Sequence, residues 1–226
     1  MMELLAFGDT GWGDELLLSM VMTILVSTSS LAFGLIIGTI FASFKLSNSY
    51  ILKAIAEFYT TVVRGVPELL VIYLLFFGGS GAVMYVAKIF GHMGYIELSP
   101  FTIGTIAVGA ISGAYSTEVI RGAILAVPKG QFEAAQTLGM AKYAMSFKVI
   151  FPQVARLALP GIGNVWQVTL KDTALISVTG LVEIMRQSKI AAGSTHEPFI
   201  FYTVCLLYTS DAADEGLGVD LGGRRI

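Results

Sequence analysis

The sequence predicts an all-α, polytopic transmembrane helical bundle of five spans, the fifth truncated, and three observations predict it. Of its 226 residues 55% are hydrophobic and 13% charged, with a mean hydropathy of +0.76; a soluble domain is roughly 45–50% apolar and 25% charged. Apolar runs of about 20 residues recur, the length that crosses the hydrocarbon core as a helix. Small-residue pairs, Gly34 with Gly38 and Gly109 with Gly113, fall in two of those runs at the spacing that lets membrane helices approach closely. Packing within the chain explains them more simply than a dedicated dimer face.

Taken in order, the runs are Leu16 to Phe44, Ala54 to Gly78, Pro100 to Val127 and Leu157 to Val182, with Pro198 to Val204 opening a fifth. Between the second and third, "GGSGAVMYVAKIFGHMGYIELS" is glycine-rich and mixed, and reads as an interfacial loop. The N-terminal "MMELLAFGDTGWGDE" has no cationic region and precedes a run too long for a signal peptide, so the first span is expected to be retained. Lys45 and Lys53 lie in the first loop and Lys129, Lys142, Lys148 and Arg156 in the third, whereas Asp9, Asp14 and Glu15 precede the first span without a basic residue. Positive-inside then puts the N-terminus outside and loops one and three in the cytoplasm. After Val204 the composition turns acidic and glycine-rich. "CLLYTSDAADE" and "GVDLGGRRI" resemble translated transposase-end and sequencing-adapter sequence. The expected division is therefore a transmembrane domain at 1–204 and a non-native tail at 205–226, an acidic cytosolic tail being the alternative.

Several chemistries drop out. A net charge of −2 suits neither a nucleic-acid binder nor a polybasic peripheral protein. The single Cys205 can form no intramolecular disulfide, and His92 and His196 are far apart, in loops expected outside, so no metal site and no catalytic residue is expected. No GxxxxGK[ST] or G-x-S-x-G stretch exists. Trp12 suits an interfacial anchor and Trp166 packing.

Polar residues inside spans are costly and usually face a bundle interior or a watery path. Asn164, Gln167 and Lys171 stand at i, i+3 and i+7 on the fourth span, with Asp172 about 80° round from Asn164. They are expected to line a path, with Lys171 and Asp172 meeting the charges of a zwitterionic substrate; ion pairs that only fix packing are the alternative. Pro160, Gly161 and Gly163 would let this helix bend or break. Glu118 and Arg121, with Tyr115 one turn earlier, read as an intrahelical ion pair. Arg64, Pro67 and Glu68, in "RGVPE", read as a kink at the membrane surface, with a gate as the second reading.

The third loop holds "QFEAAQTL", a helix-favouring stretch with Pro128 to start it and Gly139 to stop it. Two turns are unstable alone, so the segment must rest on something larger. Glu133, Ala134, Ala135, Gly139, Val149, Phe151 and Pro152 resemble the EAA signature of ATP-binding-cassette (ABC) importer permeases, with Val149 and Phe151 replacing the usual Ile and Leu. "RGVPELL", "GAYSTEVIRGAILAVPKGQFEAA", "ALPGIGNVWQVTLKDTALISVTGL" and "HEPF" resemble polar-amino-acid permeases, chiefly those for histidine, lysine, arginine and ornithine or for opines. That resemblance covers residues 10 to 204. It implies a type I importer permease fold with a coupling segment at about 128–152 that docks on an ABC ATPase dimer. It also implies a sister permease subunit, a periplasmic solute-binding protein, a bacterial inner-membrane location, and ATP and Mg²⁺ used by the partner ATPase with no cofactor on this chain. The rivals are an ion-coupled secondary transporter relaying through Glu68, Glu118 or Asp172, and a non-transporting membrane scaffold.

Overall fold

A computed structural model describes residues 4–8, 11–89 and 99–215, and those residues contain helices and connecting turns without a strand. Helix α1 (Gly13–Leu46) carries Asp14 and Glu15 in its first turn and Lys45 in its last, the signs that complement a helix dipole. It packs along α5 (Pro100–Ala126), which Pro100 opens from a position where its missing amide costs nothing. The glycine pairs are the reason for the close fit. A β-carbon on Gly34 would lie 2.1 Å from Ser112 Oγ and 3.0 Å from the Gly109 carbonyl oxygen, and one on Gly38 would lie 2.7 Å from Ser116 Cβ. Both GxxxG pairs are thus spent on one another inside the chain. Three buried hydroxyls of α1 donate back to carbonyls of their own helix, Ser19 to Leu16, Thr23 to Ser19 and Ser27 to Ile24, so these need no partner across the seam.

The second run is broken. Helix α2 (Tyr50–Gly65) ends at extended Val66 and Pro67, and the chain resumes as α3 (Glu68–Tyr73), with 113° between the two arms. Pro67 disfavours helix in the residue before it, so the kink expected at "RGVPE" is a full corner. From α3 the backbone continues through a π-helical turn (Leu74–Gly78) into α4 (Gly79–Ile89). The interfacial loop expected from Gly78 onward is therefore helix as far as Ile89. Its glycines do not stop it, because helix propensity is a weak prior next to the need to pair backbone groups internally in an apolar setting. Residues 90–98, including His92, lie outside the described residues.

Beyond α5 come α6 (Lys129–Thr137), α7 (Lys142–Met145), a π-helical turn (Ser146–Ile150) and α8 (Phe151–Ile176), closed by a 3-10 turn (Ser177–Thr179). The fourth run thus becomes helical well before Leu157. Pro152 sits in the first turn of α8, where it is tolerated, and Pro160 lies inside the helix without ending it, so the break expected near Gly161 and Gly163 is absent. Gly161 serves packing: a β-carbon there would meet Val119 Cγ1 of α5 at 2.7 Å. Helix α9 (Ile184–Thr195) and α10 (Pro198–Glu215) complete the described chain, and α10 runs on past the change in composition at Val204.

By length and composition, α1 and α5 are long and apolar enough to cross a membrane, and the bent pair of α2 with Glu68–Gly78 is a third if counted as one. The shorter apolar stretch of α10 is Pro198–Tyr208. A core of Val26, Ile72, Val108, Ile111 and Ile176 joins α1, α3, α5 and α8. A second cluster of Leu16, Ala191, Ala192 and Phe201 ties α1 to α9 and α10.

Candidate functional site: a short exposed helix and a polar ladder

Helix α6 is the two-turn segment foreseen in the third loop. Gly139 ends it in the left-handed region, φ +69°, and donates its amide to the Gln136 carbonyl at 2.9 Å while Met140 donates to Ala135 at 3.1 Å. Those two bonds are a Schellman motif, which satisfies carbonyls that a helix end otherwise leaves bare. Ala135 is 3% exposed and rests on its own chain, and Gln153 of α8 donates to Gln131 at 3.2 Å. Glu133, Ala134, Gln136 and Gly139 face away, with Leu138 80% exposed. One side of α6 is thus anchored and the other presents small and polar groups.

The path residues divide. Asp172 is buried, Gln167 half-buried, and Asn164 and Lys171 are exposed. Consecutive residues of a helix point about 100° apart. Lys171 and Asp172 accordingly occupy different faces of α8, and within this chain they do not converge on one space. Beside Asp172 lies Glu68, in the first turn of α3. Tyr115 of α5 donates its hydroxyl to Glu68 Oε1 at 3.2 Å, and the Arg64 guanidinium lies 5.4 Å from the Tyr115 ring centre. Residues read separately as a kink, a helix neighbour and a path stripe therefore form one ladder. Two neighbouring acidic groups suit a cation, while the Tyr115 ring already carries the chain's own Arg64 guanidinium.

One to two turns further along α5, Glu118 and Arg121 pair at 2.9 Å. Sequence reasoning missed the rest: Lys45 at the end of α1 reaches Glu118 at 2.5 Å and Glu57 of α2 at 3.1 Å. Arg64, Lys45, Glu57, Glu118 and Arg121 line an open cleft of about 420 Å³. No sequence spacing flags Lys45, because its partners lie on other helices. Among the described residues no group of three or more His, Cys, Asp or Glu side chains could hold a metal ion, and His196 is exposed at the left-handed end of α9.

Glu183 was also not singled out from the sequence. Only 1% exposed, it caps α9 by accepting from the amides of Met185 at 2.9 Å and Arg186 at 2.7 Å. Burial outweighs those bonds and pushes its carboxyl up to about 7 from its usual 4.5.

Apolar helices that enclose a polar ladder and extend a two-turn helix beside it define a membrane transport component. The chain belongs to the family described as binding-protein-dependent transport system inner membrane component, which matches residues 31–210. It is a component of a transport system and not an enzyme. It is 52% identical over 219 residues to the nopaline transport system permease protein NocQ of Agrobacterium fabrum (strain C58 / ATCC 33970), covering 95% of this chain and 93% of that protein. Identity is 43% over 195 residues to the histidine/lysine/arginine/ornithine transport system permease protein HisQ of Escherichia coli (strain K12), covering 86% and 85%. A chain in the crystal structure of an amino acid ABC transporter with histidines superposes with a TM-score of 0.71 at 31% identity, covering 91% of this chain and 94% of that one.

Proposed function

We propose that this chain is the permease subunit of an ATP-driven importer for polar amino acids, of the basic or opine type. The observation that carries the reading is α6: a short helix, anchored by Ala135, closed by Gly139 and bare at Ala134, is built to be gripped from outside the bundle. A chain without a phosphate-cradling loop needs such a grip, because hydrolysis of ATP must then be done by another subunit. The partners are an ABC ATPase dimer using ATP and Mg²⁺, a sister permease and a periplasmic solute-binding protein. Relatives named for nopaline and for histidine, lysine, arginine and ornithine support the substrate class.

The chain crosses the bacterial inner membrane five times in this reading, with α8 and α10 supplying the fourth and fifth spans, the fifth cut short, and the N-terminus outside. Residues 1–204 are the transport domain and 205–226 a non-native tail, on the change of composition. Within the path, Glu68 and Asp172 with Tyr115 receive the substrate's cationic end, and Asn164, Gln167 and Lys171 border the route. Arg64, Pro67 and Glu68 form the corner that gates it.

Replacing exposed Ala134 with Arg tests the reading. The variant should keep the thermal stability of the chain and lose most ATPase co-purification and uptake. Uptake that persists without the ATPase and collapses with the ion gradient would instead favour a secondary transporter.

A further inference from the structure

We infer that Glu57 and Lys45 form a breakable clasp that sets when the α2–α3 corner opens, making Glu57 a positioning residue for transport; this rests on the importer reading above. Glu57 stands eight residues before Gly65, where α2 meets the corner, and Glu118 stands eight residues before Ala126, where α5 meets the linker to α6. Each is about 12 Å along its helix from a joint. Lys45 holds both carboxylates, so it bridges the arm that turns the corner to the arm that meets the coupling helix.

The two sides of the clasp are unequal. The Lys45 side chain is 4% exposed and that of Glu118 23%, and Glu118 also receives Arg121. Removing Glu118 would leave the buried Lys45 only the exposed Glu57, so this side is the anchor. The Glu57 side chain is 64% exposed, and a pair so open to solvent shifts an equilibrium only about two- to fivefold. Helix α2 is also lightly held. Its buried residues are Ala56 and Thr60, while Tyr50, Ile51 and Phe58 are exposed. Among the described residues its direct polar ties to α5 are the bond from the Tyr59 hydroxyl to the Ala110 carbonyl and the Arg64 guanidinium over the Tyr115 ring. A weak contact on a lightly held arm, backed by a strong one on a fixed arm, is the arrangement of a release.

The test uses the complete complex of permeases, ATPase and binding protein in proteoliposomes, with Cys205→Ser throughout. A reducible thiol-to-thiol linker joins Lys45→Cys to Glu57→Cys in one variant and Lys45→Cys to Glu118→Cys in another. Relative to the same variant after reduction, linking the first pair should arrest ATP-dependent uptake, and linking the second should change it little. Normal uptake with the first pair linked, or arrest by both pairs alike, overturns the inference. Separately, Glu57→Gln should raise ATP hydrolysis in the absence of binding protein about two- to fivefold, with tight coupling restored in Glu57→Asp. Unchanged hydrolysis in Glu57→Gln also overturns it. Absence of ATP-dependent uptake in the parent complex would instead count against the importer reading.

Discussion

At the scale of single residues, the buried acid of α9 makes a pH-dependent prediction. Folded Glu183 holds its proton up to about pH 7, whereas the unfolded chain releases it near 4.5. Its contribution to stability is therefore fully present below about 4.5 and is lost as pH rises through 7. The thermal midpoint of the purified protein should fall across that window, and Glu183→Gln should flatten the fall; a slope unchanged in the variant would remove Glu183 as its source. Residues of this kind are hard to read from sequence. The cap contacts of Glu183 are local, but its burial is not: the next residue, Ile184, donates to Thr23 of α1, 161 positions away, and no sequence spacing signals that packing. Glu118 and Arg121 were legible because their contact is local, while Lys45 was not because its partners are distant.

Among elements, α6 was legible nearly to its ends. Pro128 and Gly139 act through backbone geometry alone, and such constraints survive any tertiary context. A β-carbon on Gly139 would meet nothing within 4 Å, so the cost of replacing it is conformational. Gly139→Val should cost about 1–2 kcal/mol at that end of the helix and weaken ATPase co-purification, whereas Gly139→Asn, which tolerates the left-handed region, should retain it. Equal loss in both variants would point to a need for the glycine surface instead. The second run was legible in part, since "RGVPE" marked the kink but not its size. Hydropathy averages over a window and cannot register that Pro67 turns the chain by 113° or that helix persists through Gly78 and Gly79. At Pro160, read as letting the helix bend or break, α8 continues without a break.

For the whole molecule, the bundle of apolar helices followed from composition, and its intrachain seam from two glycine pairs. The meeting of Glu68 with Asp172 did not, because it requires the α3 corner and α8 to face each other across Tyr115. Orientation rests on the distribution of lysine and arginine, and it can be measured. Lys53→Cys in intact cells should resist a membrane-impermeant thiol reagent that labels Lys189→Cys, in a Cys205→Ser background; the reverse pattern would invert the topology. The glycine-to-glycine seam has a mechanical meaning beyond packing. Helices that approach this closely at their glycines have little side-chain cushion between them, so α1, about 51 Å long, and α5, about 40 Å long, are expected to move together. In the importer proposed above, a displacement at one end of this pair would be carried by both helices rather than absorbed between them.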